Sequence, residues 1–126
     1  MVVLDASVVL AVINAEPGAE AAIAYLAEAV ISAVNLSEIV AKLAERGMPA
    51  EAIAATLDDL DLDVQPLSRD LAIEAGLMRR TTRTHGLSLG DRACLALAHS
   101  LGETAVTMDR AWQTLDVGVS VATIER

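Results

Sequence analysis

Val2-Val3-Leu4-Asp5-Ala6-Ser7-Val8-Val9 is the stretch from which the fold is read. Its first half is apolar and β-branched with no alternation, the pattern of a short strand over residues 1–5 buried on both faces. Val8, Val9, Val12 and Ile13 then return at helical spacing, which predicts a helix over 6–14. The same succession repeats along the chain. Glu16-Pro17-Gly18 breaks the first unit, and residues 19–29 form a helix by propensity. A second buried strand is expected over 30–34 and a helix over 35–46, closed by Gly47. Pro49 suits the first turn of a further helix running to about residue 59, so two helices make a hairpin between strands. A third strand follows over 62–67, then helices over 68–84 and 89–101. A fourth strand covers 104–108, a short helix 109–115, and a last strand 117–124. Strands alternating with helices imply right-handed crossovers, hence an α/β domain with a mostly parallel sheet of about five short strands and helices on both faces.

At 126 residues the chain fits one domain, 1–126, and with 54% hydrophobic residues it can build a substantial core. Ala, Val and Leu must fill that core, since there is no Phe, one Tyr and one Trp. The single cysteine, Cys94, excludes an internal disulfide and reads as a packing residue. Asp5 interrupts the N-terminal apolar run, which no basic segment precedes, so no signal peptide is expected. Nor does any stretch read as a membrane span, and the expected compartment is the cytoplasm.

Four acidic residues stand where an apolar strand or loop gives way to a helix: Asp5, Glu38, Asp91 and Asp109. In an open α/β sheet such positions converge on the crevice at the carboxyl ends of the strands. Each also has a structural reading. Asp5 and Asp109 suit helix N-caps, and Asn35-Leu36-Ser37-Glu38 and Ser88-Leu89-Gly90-Asp91 both have the form of a capping box. Taken jointly the four are costly. Two carboxylates about 4 Å apart at an effective dielectric of about 20 repel by about 4 kcal/mol, against about 0.3–1 kcal/mol recovered at each helix N-terminus. A hard divalent cation relieves the rest and takes the oxygen ligands that Asp and Glu provide. Ser7 and Thr107 lie beside the proposed crevice, where they could orient water or simply serve as a cap and a strand residue. His85 and His99 are too isolated for a histidine metal site.

Net charge is −9, from 18 acids against 9 bases, which argues against broad nonspecific binding of nucleic acid. The bases are nevertheless unevenly placed. Arg79, Arg80 and Arg83 fall in a segment free of acids and Arg92 follows Asp91, so an anionic substrate could be gripped there. The alternative is a solvated helix end whose cations offset the macrodipole.

The chain resembles the PIN-domain ribonucleases, and within them the toxins of VapBC-type toxin–antitoxin pairs. The markers are Val3-Leu4-Asp5-Ala6-Ser7-Val8, Asn35-Leu36-Ser37-Glu38-Ile39, Leu87-Ser88-Leu89-Gly90-Asp91-Arg92-Ala93-Cys94-Leu95 and Thr107-Met108-Asp109-Arg110-Ala111-Trp112, in that order over nearly the whole length. The resemblance implies a metal-dependent endoribonuclease using Mg²⁺ or Mn²⁺. Asp5, Glu38, Asp91 and Asp109 would be its acidic quartet, with Asp5, Asp91 and Asp109 on the metal and Ser7 and Thr107 as supporting hydroxyls. It further implies structured RNA such as tRNA or rRNA as substrate, a cognate antitoxin over the cleft, and a homodimer. With so few aromatics to stack on bases, recognition would run through shape and phosphates, by Arg79, Arg80, Arg83 and Arg92.

Three other readings compete. A phosphoacceptor receiver domain needs a lysine after a late strand, whereas the only lysine is Lys42, in mid-chain. A haloacid-dehalogenase-type phosphatase needs a second acid two residues after Asp5, where Ser7 stands. A PIN-like module that binds RNA or a partner without cutting it stays open, because intact acids do not prove turnover.

Overall fold

Val3 at the centre of the sheet lies between Val30 and Ala105, and Leu4 between Ile31 and Val106. These pairs belong to β1 (Val2–Leu4), β2 (Ala29–Ser32) and β4 (Thr104–Thr107), with β3 (Asp63–Gln65) and β5 (Val121–Thr123) on the two edges. The computed structural model describes residues 1–126. The strand order is β3-β2-β1-β4-β5 and every pairing is parallel. The fold class expected from the sequence therefore holds, with no antiparallel strand.

Because strand side chains alternate, the central strands feed two cores. Leu4, Ile31 and Val106 face one side with Val8, Val9, Ile39 and Leu43, drawn from α1 (Ala6–Ile13) and α3 (Ala33–Glu45). Val3, Val30 and Ala105 face the other with Cys94, Leu95 and Leu97 of α7 (Leu89–Leu101) and with Ala75 of α5 (Arg69–Leu77). Trp112, fully buried, fills that second side. The remaining helices are α2 (Ala19–Leu26), α4 (Ala50–Leu60) and the single turn α6 (Arg79–Thr82). No helix is long and apolar enough to cross a membrane.

The helical hairpin read from the sequence is α3 and α4, which pack together across a turn at Gly47. Gly47 adopts φ +91, and the Gly47 and Met48 amides close back on the carbonyls of Ala44 and Leu43. That left-handed turn ends α3 and reverses the chain.

Several boundaries differ from expectation; the helix expected over 19–29 ends at Leu26, and the third strand covers only Asp63–Gln65. The second strand ends at Ser32 and α3 starts at Ala33, two residues before Asn35. Ser32 caps the helix by accepting the Val34 amide at 3.2 Å. Ala33 and Val34 are as compatible with a buried first turn as with a strand, so only the cap decides. Asn35 consequently lies inside the helix, and the capping box proposed for Asn35 and Glu38 does not exist. The helix expected over 68–84 breaks after Leu77, and beyond the break the Thr81 and Thr82 hydroxyls bond back to the Met78 carbonyl at 3.2 and 2.8 Å. The chain continues as α6 and a 3₁₀ turn, Arg83–His85. Finally, the segment after β4 is a 3₁₀ turn, Arg110–Thr114, and the last strand shrinks to three residues after Gly118, at φ +73.

Candidate active site

In this strand order β1 and β4 are the neighbours whose onward connections leave in opposite directions, and ligands of open α/β sheets bind beyond the carboxyl ends of such a pair. Asp5 directly follows β1 and Thr107 closes β4. The N-termini of α1, α3 and α7 face the same edge of the sheet, since α1 and α3 leave strand ends and α7 runs back towards the start of β4.

Asp5 is buried, 4% exposed, and both carboxylate oxygens are held. Oδ1 accepts the Ser7 amide at 3.0 Å, the Ser7 hydroxyl at 2.5 Å and the Val8 amide at 3.4 Å. Oδ2 accepts the Thr107 hydroxyl at 2.6 Å. The two hydroxyls are themselves oriented, Ser7 Oγ by the Met108 amide and Thr107 Oγ1 by the Asp109 amide, each at 3.1 Å. A hydroxyl that accepts an amide hydrogen points its own proton elsewhere, here at Asp5. Burial pushes the Asp5 carboxyl up from 3.8 to about 6, with the Asp91 charge adding to it, although the Ser7, Thr107 and Val8 hydrogen bonds oppose the rise.

Glu38 reaches the crevice from the second turn of α3. Its Oε1 accepts the Asn35 amide at 2.9 Å, and the same Asn35 nitrogen donates to the Gly90 carbonyl of α7 at 3.1 Å. The carboxylate lies directly over Gly90, where a Cβ would overlap Glu38 Oε1. Burial raises the Glu38 carboxyl, the Asn35 bond opposes this, and Asp91 raises it further. Asp91 does form the capping box expected of it: Oδ2 accepts the Ser88 amide at 2.9 Å and Ser88 Oγ accepts the Asp91 amide at 3.2 Å. Beneath these groups lies Cys94, whose thiol is held well above its ordinary range by burial and by Asp5, Asp91 and Glu38. Such a thiol is protonated and unreactive.

Three of the four acids thus share one field. Asp109 stands apart from it, exposed, with Oδ1 capping the 3₁₀ turn through the Ala111 amide at 2.9 Å. Its link to the crevice is the backbone bond to Thr107. No three Asp, Glu, His or Cys side chains stand in an arrangement that would hold a metal ion by direct contact. The donor set nevertheless fits a hard cation in kind. It is all oxygen, and Asp5 Oδ2 carries a single hydrogen bond. Magnesium keeps several waters and few protein ligands, so one or two carboxylates with the others acting through water satisfy it.

Of the arginines, Arg79, Arg80 and Arg83 are exposed on the segment leading into α7. Arg92 is not free in the same way: it donates to the Ala75 carbonyl of α5 at 3.0 Å and its Nε is buried without a partner. His99 pairs through Nδ1 with Glu74 of α5. His85 Nε2 meets Thr114 Oγ1 at 3.0 Å. The residues that sequence reasoning passed over are Asn35 and Gly90. Asn35 was detectable, because it takes the first place in the buried series Asn35, Ile39, Leu43, where an apolar residue is the rule.

A family model described as the PIN domain matches residues 2–118. No curated protein matches the chain. Among solved structures, VapBC2 of Rickettsia felis bound to a promoter DNA fragment is similar with a TM-score of 0.77 at 16% identity, covering 99% of this chain and 100% of that one. A toxin–antitoxin complex of Klebsiella pneumoniae gives 0.76 at 18%, with both chains covered in full. The sarcin–ricin-loop-cleaving toxin VapC20 of Mycobacterium tuberculosis gives 0.74 at 22%, covering 95% and 99%.

Proposed function

The chain belongs to the PIN domain family, and from that premise we propose that it is a metal-dependent endoribonuclease, the toxin of a toxin–antitoxin pair. The observation that carries this reading is the buried Asp5 carboxylate at the β1/β4 crevice, under the charge of Asp91 and steered by two hydroxyls. A protein that needed Asp5 only as a helix cap would gain nothing from desolvating it or from placing the Asp91 charge within its field. Its similarity to the Rickettsia felis, Klebsiella pneumoniae and Mycobacterium tuberculosis proteins supports an antitoxin partner and an RNA substrate.

Asp5, Glu38 and Asp91 would hold the cation, with Asp109 acting at the lip through water. Bound there, Mg²⁺ or Mn²⁺ would supply Lewis acidity towards a phosphodiester and its attacking water. The chain's own contribution is orientation. Ser7 and Thr107 hold the Asp5 carboxylate in one orientation, and Oδ2 accepts only the Thr107 hydroxyl. Glu38 and Asp91, drawn from different helices, would act on the cation directly or through its waters. The N-termini of α1, α3 and α7 favour negative charge at that edge, which eases the approach of a phosphate among carboxylates. Arg79, Arg80 and Arg83 would grip the RNA backbone, while Arg92 fastens α7 to α5. A cytoplasmic homodimer neutralised by its antitoxin completes the proposal.

A second reading, a PIN-like module that binds without cutting, is favoured by the absence of a preformed three-ligand metal group. One experiment separates the two. Purified protein is incubated with tRNA and rRNA in Mn²⁺ or Mg²⁺, with and without a chelator, beside Asp91→Asn. Cleavage that needs the metal and is lost in Asp91→Asn supports the nuclease. RNA binding without cleavage by the wild type supports the second reading.

A further inference from the structure

Resting on the reading of Glu38 as a metal-site acid, we propose that Asn35 is a positioning residue, a latch that holds the Glu38 carboxylate over Gly90 and away from Lys42. Glu38 has two partners within reach along its own helix. Asn35 lies three residues before it and is buried; Lys42 lies four residues after it and is exposed. A glutamate four residues ahead of a lysine is the favoured order for a helical surface ion pair. Here no such pair forms, although Lys42 is near enough to lower the Glu38 carboxyl. Glu38 turns inward instead, to the Asn35 amide at 2.9 Å.

The details of Asn35 accord with this single task. It is 1% exposed, in line with Ile39 and Leu43 on the buried face of α3, so a leucine would pack in its place. Both hydrogens of its amide are engaged, one by Glu38 and one by the Gly90 carbonyl, whereas Oδ1 is buried with no partner. A buried amide oxygen left unpaired costs stability, and a side chain kept for structure alone would not carry it. What remains unique to Asn35 is the two-hydrogen donor, which ties an acid of α3 to the turn of α7 that bears Asp91. Gly90 completes the latch from the other side, since any Cβ there would occupy the space of the Glu38 carboxylate. The latch thereby sets two mutually repelling acids in a fixed relation before any cation arrives, which is preorganisation of the site.

The test uses the full chain as wild type, Asn35→Leu, Asn35→Leu/Lys42→Ala and Gly90→Ala. Two readouts are taken: NOEs between the Glu38 γ-protons and the Gly90 α-protons in metal-free protein, and Mn²⁺ affinity by calorimetry. The NOE arm reads the wild type, Asn35→Leu and the double variant, and addresses the latch whether or not the protein cleaves RNA. The expected result is loss of the NOEs in Asn35→Leu with unchanged or raised thermal stability, and their return when Lys42 is also removed. Mn²⁺ affinity should fall about tenfold in Asn35→Leu, the effect of one hydrogen bond to a charged group, and recover in the double variant. Gly90→Ala should lose affinity without rescue, which covers the case that Asn35→Leu does not fold. NOEs and Mn²⁺ affinity unchanged in Asn35→Leu would overturn the latch while leaving the nuclease reading intact. A wild type that binds no Mn²⁺ would refute the metal reading, and the NOE arm would still decide the latch.

Discussion

Replacing Asp5 by Asn should make the metal-free protein more stable at neutral pH, even though it removes a side chain with four hydrogen bonds. The reason is the charge. A carboxyl moved from 3.8 to about 6 by burial carries about 3 kcal/mol of preference for its protonated form. Because the folded value lies above the unfolded one, that preference stabilises the fold in full below about 3.8 and is lost as pH rises through about 6. Above that range the wild type holds an ionised, buried carboxylate at its own expense. Asn keeps the acceptor for Ser7 and Val8 but offers an NH₂ where Thr107 donates to Oδ2, a loss of about 1 kcal/mol. The net gain of about 2 kcal/mol corresponds to a rise in Tm of about 7 °C for a chain of 126 residues. Thermal melts of metal-free wild type and Asp5→Asn across pH read this directly. The gap should be negative or nil near about pH 4, widen towards about pH 6 and then level off. Added Mn²⁺ should raise the Tm of the wild type alone, as binding to the native state requires. A gap of constant size at all pH values, or an Asn variant less stable at neutral pH, would refute the account of Asp5 as a desolvated carboxylate held for a cation.

Thr107→Val removes one of the hydrogen bonds that hold the Asp5 carboxyl down, so its proton should be retained to higher pH. In metal-free thermal melts, the pH range over which the ionised Asp5 costs stability should move up by about one unit, and an unmoved range would exclude the Thr107 bond from holding that carboxyl down. Changing Arg79, Arg80 and Arg83 together to Ala should weaken RNA binding and reduce the slope of log affinity against log salt by about 2, measured by fluorescence anisotropy. An unaltered slope would place the RNA on another face.

Much of the architecture was legible along the chain because it depends on local periodicity. Buried strands such as Val2-Val3-Leu4 and amphipathic helices such as 89–101 announce themselves by residue type and spacing, and their alternation dictates a parallel sheet. The caps at Asp5, Ser88 and Asp109 were also readable, since a cap is a contact between near neighbours. Where two local readings were close in energy the pattern failed. Ala33 and Val34 suit a strand or a first turn, and Ser32 decided for the turn.

The relations among the acids belong to another scale. Nothing near Glu38 in the chain announces that it lies on Gly90, 52 positions away, or that Asn35 joins α3 to α7. Nor could composition separate Asp109, exposed and capping, from Asp5, buried and raised to about 6. Periodicity fixes which face of an element is apolar, because that is decided within a few residues. The environment of a carboxylate is the sum of desolvation and charge from elements remote in sequence, and it comes into being when β1, β4, α3 and α7 pack against one another.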